Sequence, residues 1–420
     1  MKYLSGLLGG TLGKSIGALC DQGVVSVGNF ATNVVLARQL PPAEYGTYVL
    51  ISAAALVANG IHNAAIVSPL MVKVAPASPD SQRKYATGSL AMTAVFSVVA
   101  VAIVMFGAIS LHRVEVGALA AFAAVAWQLQ ETVRRAMFAQ RRNMEAIWGD
   151  FISYPGQAVA VMVLAHLHLL TLERAFIALA LTSLLAAAVQ TVQIQASAIR
   201  SGELVIQVRE FWTMARWMLG AAVLGGVTAQ IFPWALAATH DRVYAATFQA
   251  LINVLGVTHP VILSIAAVII PAIAALKGDR KSHSARRIAW MYTLQIEALL
   301  APYFLVLLCW PGRVLTLFYG SSSPYVVQTT ALRLMVLLYV ITVPMSVWGG
   351  ALTGAEEVRA GFRVQVWGVI LSAVIGIPLC FWFGLVGAIT GDSSVRLVRA
   401  VKAWRTFVGG NENMLRRTAL

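Results

Sequence analysis

Residues 116–142 read VGALAAFAAVAWQLQETVRRAMFAQRR. A run of small and apolar side chains gives way to Gln128, Gln130 and Glu131, and then to Arg134, Arg135, Arg141 and Arg142. About 20 apolar residues, each rising 1.5 Å, cross a ~30 Å hydrocarbon core. The stretch therefore predicts a membrane-crossing helix whose basic end stays in the cytoplasm. The pattern recurs in both directions along the chain. Basic residues gather in every second gap between apolar runs, at Lys73/Arg83/Lys84, Arg200/Arg209/Arg216, Lys277 to Arg287 and Arg359/Arg363, and again at both termini. Of the 31 lysines and arginines, Arg38, Arg113, Arg174, Arg242 and Arg313 fall in the opposite gaps and Arg333 at a span edge. An even number of crossings follows, with both termini cytoplasmic. The spans are expected near 14–37, 46–71, 87–110, 116–138, 147–169, 175–198, 214–238, 243–275, 288–310, 329–352, 364–383 and 385–404.

Composition points the same way. Hydrophobic residues make up 59% and charged residues 11% of the 420, against roughly 45–50% and about 25% in soluble domains. The net charge of +14 is spread over many short loops without a basic face or an aromatic–basic motif, so no nucleic acid is expected. Membrane lipids, anionic on the inner leaflet, suit it better. Cys20, Cys309 and Cys380 lie in or beside apolar runs without ligand spacing, so neither a metal nor a cofactor is expected. The chain carries no GxxxxGK[ST] or HExxH motif and no paired carboxylates in an outer loop. It reads as no enzyme. The glycine-rich start around Lys2 lacks an A-x-A site, so no cleaved signal is expected.

A weak internal repeat divides the chain near residue 205. Leu36-Ala37 parallels Leu236-Ala237, Phe138 to Ala146 parallels Leu352 to Ala360, and the Ala-X-Arg ending at Arg200 parallels that at Arg405. The expected architecture is all-α, with about 12 transmembrane helices in two six-helix lobes, 1–204 and 205–420, around a central cavity. Pro69, Pro260 and Pro271 are expected to kink their helices, the last two within an over-long 243–275.

A charge at mid-bilayer costs at least ~2.5 kcal/mol, so intramembrane polar residues mark a cavity or helix packing. Lys14 and Asp21 share a broad face of the first span; Asp21 is read as a substrate or coupling-ion residue, with helix–helix glue as the alternative. Glu131 lies three and four residues before Arg134 and Arg135, within ion-pair reach. These arginines either anchor the helix or fork around a pyrophosphate from an inward-open vestibule. Arg216 opens the seventh span. His259, Glu297, Asp392 and Arg396 are polar residues of the later spans, with coupling or structural pairing as their alternatives; Asp392, Arg396 and Arg399 form one stripe on the last helix.

Leu36-Ala37-Arg38-Gln39-Leu40-Pro41-Pro42-Ala43-Glu44-Tyr45-Gly46 resembles the A-R-x-L-x-P-x-E-Y-G segment of bacterial polysaccharide flippases. These are the Wzx-type O-antigen, capsule and exopolysaccharide translocases of the multidrug/oligosaccharidyl-lipid/polysaccharide exporter superfamily. Glu131-x-x-Arg134-Arg135 with Phe138-Ala139 and Asp150, Gln249 to Pro260 with Pro271, and Gly384 to Ala388 are looser likenesses. The resemblance implies alternating access in the bacterial inner membrane and a polyprenyl-pyrophosphate oligosaccharide as cargo. It also implies cationic cavity residues at Arg134 and Arg135, whereas Lys14, Asp21 and Arg216 rest on polarity alone. H+ or Na+ and polysaccharide-assembly proteins complete the expected partners. The last helix departs from the family pattern at Asp392-Ser393-Ser394 and the arginines after it. Two rivals stay open: a cation-coupled drug or small-molecule exporter of the same superfamily, kept alive by Asp21, Glu297 and Asp392, and a polysaccharide polymerase or ligase, which would want a large outer loop.

Overall fold

The computed structural model describes residues 22–274, 276, 283–354 and 358–418. Most of them lie in helices, with no strand among them. Helix α1 covers 22–39, α2 Pro42–Val74, α3 Pro79–Ser110, α4 Val114–Ala139, α5 Asn143–His166, α6 Leu172–Ile194 and α7 Ser201–Thr239. After these come α8 Arg242–Gly256, α9 His259–Ala274, α10 His283–Cys309, the short α11 Pro311–Tyr319, α12 Thr329–Thr342, α13 Pro344–Gly354, α14 Val358–Leu371 with its continuation, and α15 over 385–418.

Seven helical runs among the described residues are long and apolar enough to cross a membrane by length and composition. The last run, Phe362–Phe407, is two helices. Gly384 between them sits at φ 52°, ψ −126°, a conformation open only to glycine in practice. Beyond it the chain doubles back. A Cβ on Gly391 would come within 3.0 Å of Gly376 Cα, and one on Gly387 within 1.8 Å of the Leu379 carbonyl oxygen. The glycines thus let two antiparallel helices touch backbone to backbone. With α1, α4, α5 and α8–α9, whose polar residues or breaks lower their hydropathy, about twelve crossings result. The last helix forms despite its charges.

Two of the prolines expected to disturb their helices, Pro69 and Pro260, sit at such disturbances. Pro69 follows a π-turn at Asn63–Val67, and Pro378 follows another at Ser372–Gly376. Each ring removes an N–H and pushes on the carbonyl four residues earlier, which a wide turn relieves. The expected 243–275 helix is instead two, because the chain breaks at Val257–Thr258 just before Pro260; Thr258 N–H and Oγ1 both donate to the Leu255 carbonyl, at 2.9 and 2.7 Å.

The chain divides after Gly226 into two compact units. The sequence repeat placed the division near 205, but α7 begins at Ser201 and its first turns are bound into the N-terminal unit. Gln207 donates to the Tyr85 carbonyl at 2.9 Å and to Ser89 at 3.2 Å. Lys84 pairs with Glu203 at 2.6 Å and Lys73 with Glu210 at 3.1 Å. Those lysine hydrogen bonds hold both carboxyls below the usual range. Phe211 completes an apolar cluster with Ile66, Leu70, Val74, Ala86, Val133, Met137, Ala146 and Ile194, gathered from five other helices.

Tight turns close this unit. His112, Arg141 and His168 sit at φ 55°, 61° and 54°, and each following N–H reaches back five residues, as from Arg142 to the Met137 carbonyl at 2.9 Å. These are Schellman caps made without glycine. Arg142 also grips Glu145 and donates to the Gln193 carbonyl at 2.9 Å. Its hydrogen bond holds the Glu145 carboxyl below its usual range. At the opposite helix ends Arg113 forks onto Glu44 at 2.5 and 2.9 Å and reaches Glu173 at 3.5 Å. Arg113, an exception to the alternating pattern, is a structural clasp, and so is Glu44 of the Leu36–Gly46 motif.

Candidate functional site

Each unit contains a charged cluster within its helices, and the two differ in kind. In the N-terminal unit, α4 presents Glu131, Arg134 and Arg135 on adjacent turns, while α5 presents Asp150. Arg134 Nε donates to Asp150 Oδ2 at 2.7 Å and its Nη1 to Glu131 Oε2 at 3.1 Å. Arg135 Nε donates to Glu131 Oε1 at 2.5 Å. Two arginines face two carboxylates. Arg134 is 3% exposed and Asp150 is wholly buried. The Arg134 guanidinium also lies 4.8 Å from the Phe138 ring centroid and 5.9 Å from that of Tyr154. Such a charge pair costs much to desolvate and more to break.

Around the cluster runs a polar network that joins α2 to α6. Buried His62 places Nε2 3.0 Å from Thr93 Oγ1 and 3.2 Å from Thr132 Oγ1. Ser153 donates to Gln130 Oε1 at 2.7 Å, and Gln157 Nε2 donates to Ser153 and Ser183 at 3.3 and 3.2 Å. Gln190 Nε2 donates to the Ala146 carbonyl at 3.0 Å. Among the described residues His62 Nδ1 and both amide atoms of Gln128 are buried without a hydrogen-bond partner. His62, Thr93, Gln157 and Gln190 are absent from the sequence-based candidates. The signal for α5 was there: Asp150, Ser153, Tyr154 and Gln157 fall at i, i+3, i+4 and i+7, one face of a helix.

In the C-terminal unit, α15 carries Asp392, Arg396, Arg399 and Lys402 along one side. Arg396 Nε donates to Asp392 Oδ2 at 2.8 Å, with both side chains partly exposed. Arg399 crosses Gly368 of α14, where an added Cβ would come within 3.0 Å of its Cδ. Lys402 Nζ lies 3.9 Å over the Trp367 ring centroid. Three cations stand against one carboxylate. His259 opens α9 and Tyr339 lies on α12. Glu297 on α10 is half-buried, and its Oε1 has no partner among the described residues. Gln249 donates to Asn253 at 2.9 Å, while Tyr303 and Tyr319 donate to the carbonyls of Val254 and Ala250, each at 2.7 Å. The two tyrosine bonds hold α8 against α10 and α11.

Of the residues expected from sequence, the structure brings together Glu131, Arg134 and Arg135, and separately Asp392 and Arg396. Arg216 is exposed on α7. Lys14 and Asp21 lie outside the described residues. Among the described residues no group of three His, Cys, Asp or Glu side chains stands together to hold a metal.

No family model and no curated protein sequence matches the chain. Solved structures do match its fold. An inward-facing multidrug resistance MATE family transporter of the MOP superfamily superposes with a TM-score of 0.72 at 15% identity, covering 94% of this chain and 96% of that one. The lipid II flippase MurJ, in an inward closed conformation, gives 0.70 at 11% identity, covering 93% and 86%. A MOP superfamily transporter from Pyrococcus furiosus gives 0.62 at 14% identity, covering 95% and 94%. The chain has the fold of these multi-span membrane transporters along nearly its whole length.

Proposed function

We propose that the chain moves a polyprenyl-pyrophosphate-linked oligosaccharide across a bacterial inner membrane, for O-antigen, capsule or exopolysaccharide synthesis. The observation that carries this reading is the cationic excess on α15, set in a fold shared with a lipid II flippase. A pyrophosphate needs cations that are not already neutralised, and Arg396, Arg399 and Lys402 outnumber Asp392. With both termini cytoplasmic, α15 runs inward from Gly384, so this stripe lies in the inner half of the bilayer, where such a lipid would load. Arg134 holds the N-terminal unit together instead. The chain's two units, divided after Gly226, then alternate access, the sugar crossing in polar space and sparing the cost of stripping its hydroxyls.

A cation-coupled exporter of small molecules is the second reading, favoured by Glu297, whose Oε1 has no partner among the described residues, and by the MATE-like fold. Purified protein in liposomes separates the two. A fluorescent polyprenyl-pyrophosphate oligosaccharide placed in one leaflet should equilibrate faster with protein than without. Transport of a cationic dye, abolished by Glu297→Gln, with no movement of the lipid would favour the exporter.

A further inference from the structure

Helices α2 and α4 run side by side in the same direction. At one end Arg113, the residue before α4, forks onto Glu44 of α2, 69 positions earlier in the chain. Further along, Thr132 of α4 meets His62 of α2, 70 positions earlier. So nearly constant an offset places residues with that separation at equal heights on the two helices. Asn59 and Gln128 keep it, and each lies one turn before its own helix's share of the His62–Thr132 contact. His62 and Gln128 are wholly buried. Among the described residues both amide atoms of Gln128, the Oδ1 of Asn59 and the Nδ1 of His62 are buried without a hydrogen-bond partner. From α3, Phe96 packs with its ring centroid 5.8 Å from that of His62 and offers neither donor nor acceptor.

We infer that an ordered internal water binds between α2 and α4 at this level, shared by the Gln128 amide, Asn59 Oδ1 and His62 Nδ1. A buried amide left without partners is costly, and native proteins satisfy such groups with internal water that makes about three hydrogen bonds. Water fits the mixture of roles. Gln128 Nε2 donates, Gln128 Oε1 and Asn59 Oδ1 accept, and His62 Nδ1 does either according to its tautomer. A cation fits poorly, because the amide N–H repels it and the nearby carboxylate is engaged: Glu131 accepts from Arg135 on Oε1 and from Arg134 on Oε2. The water makes a second bridge between α2 and α4, beside the threonine contacts, and carries the polar network one turn toward the Arg113–Glu44 clasp.

The test is an experimental structure of the full chain in lipid nanodiscs at a resolution that shows ordered water. Density should stand within about 3.2 Å of the Gln128 amide and of Asn59 Oδ1 or His62 Nδ1. Direct bonds from these side chains to one another or to another part of the chain, or no density between them, would overturn the inference. Thermal unfolding supplies a second measure. Gln128→Met keeps the volume but removes the bridge and leaves Asn59 and His62 without it, so the midpoint should fall by about 2–4 °C. A midpoint that holds or rises would mean a dry amide and no water. Because one water serves both side chains, Gln128→Met with Asn59→Leu should lose clearly less than the two single variants added together. Additive losses would contradict a shared water.

Discussion

The two charged clusters are built from the same residue types and behave as opposites. Glu131, Arg134, Arg135 and Asp150 balance one another, and Arg134 and Asp150 are sealed from solvent. The α15 stripe is unbalanced and partly open, with Arg396 spending one bond on Asp392. A balanced and buried set is fastening. A surplus of cations at a partly open helix face can still take a ligand. An arginine pair near a membrane boundary is thus not sufficient evidence of an anion site; its carboxylates decide.

The largest expected effect would break the first half of that contrast. Arg134→Ala or Asp150→Asn leaves its partner charged and buried, so unfolding of the purified protein in detergent should shift by about 3–5 kcal/mol. A loss below about 1 kcal/mol would mean that the cluster is not fastening. Next, Arg396→Gln with Arg399→Gln should change stability by only about 1–2 kcal/mol while weakening polyprenyl-pyrophosphate binding roughly tenfold or more. A variant that unfolds instead would place the stripe with the first cluster.

Smaller effects sharpen the picture at the helix ends that carry Lys73, Lys84 and Arg142. Glu145, Glu203 and Glu210 have depressed carboxyl pKa values through Arg142, Lys84 and Lys73. Their contribution is complete above the ordinary carboxylate range near 4.3 and is lost as pH falls through the depressed values. Protease cleavage within 200–216 should therefore rise only below about pH 4; an onset near neutrality would contradict it. Least of all, Arg141→Gly should stabilise by about 1 kcal/mol, since φ 61° costs an arginine what it does not cost glycine. Destabilisation would show that the Arg141 side chain contributes more than its backbone strain.

Much of the fold was legible because lipid leaves so few solutions. Alternating basic gaps and apolar runs gave helix number and the Gly384 turn, even though Asp392, Arg396 and Arg399 spoil the hydropathy of the last helix. Harder to read was the front half of α7, where Glu203, Arg209 and Glu210 look like loop residues until Lys84 and Lys73 are seen beside them. The π-turns were half legible: Pro69 marked a disturbance but not its form. Site residues divided the same way. Helical spacing linked Glu131 to Arg134 and Arg135, yet the decisive partner, Asp150, lies on the next helix, and only packing brings it within 2.7 Å. His62 gave no signal at all, since one histidine in an apolar run has no visible partner until Thr93 and Thr132 arrive from other helices.

The most direct test is the affinity of the purified chain for a polyprenyl-pyrophosphate oligosaccharide, measured side by side for wild type, Arg135→Ala and Arg396→Gln with Arg399→Gln. The account predicts saturable binding that falls roughly tenfold or more in the α15 variant and less in Arg135→Ala. No saturable binding to wild type, or binding untouched by the loss of both α15 arginines, would contradict it.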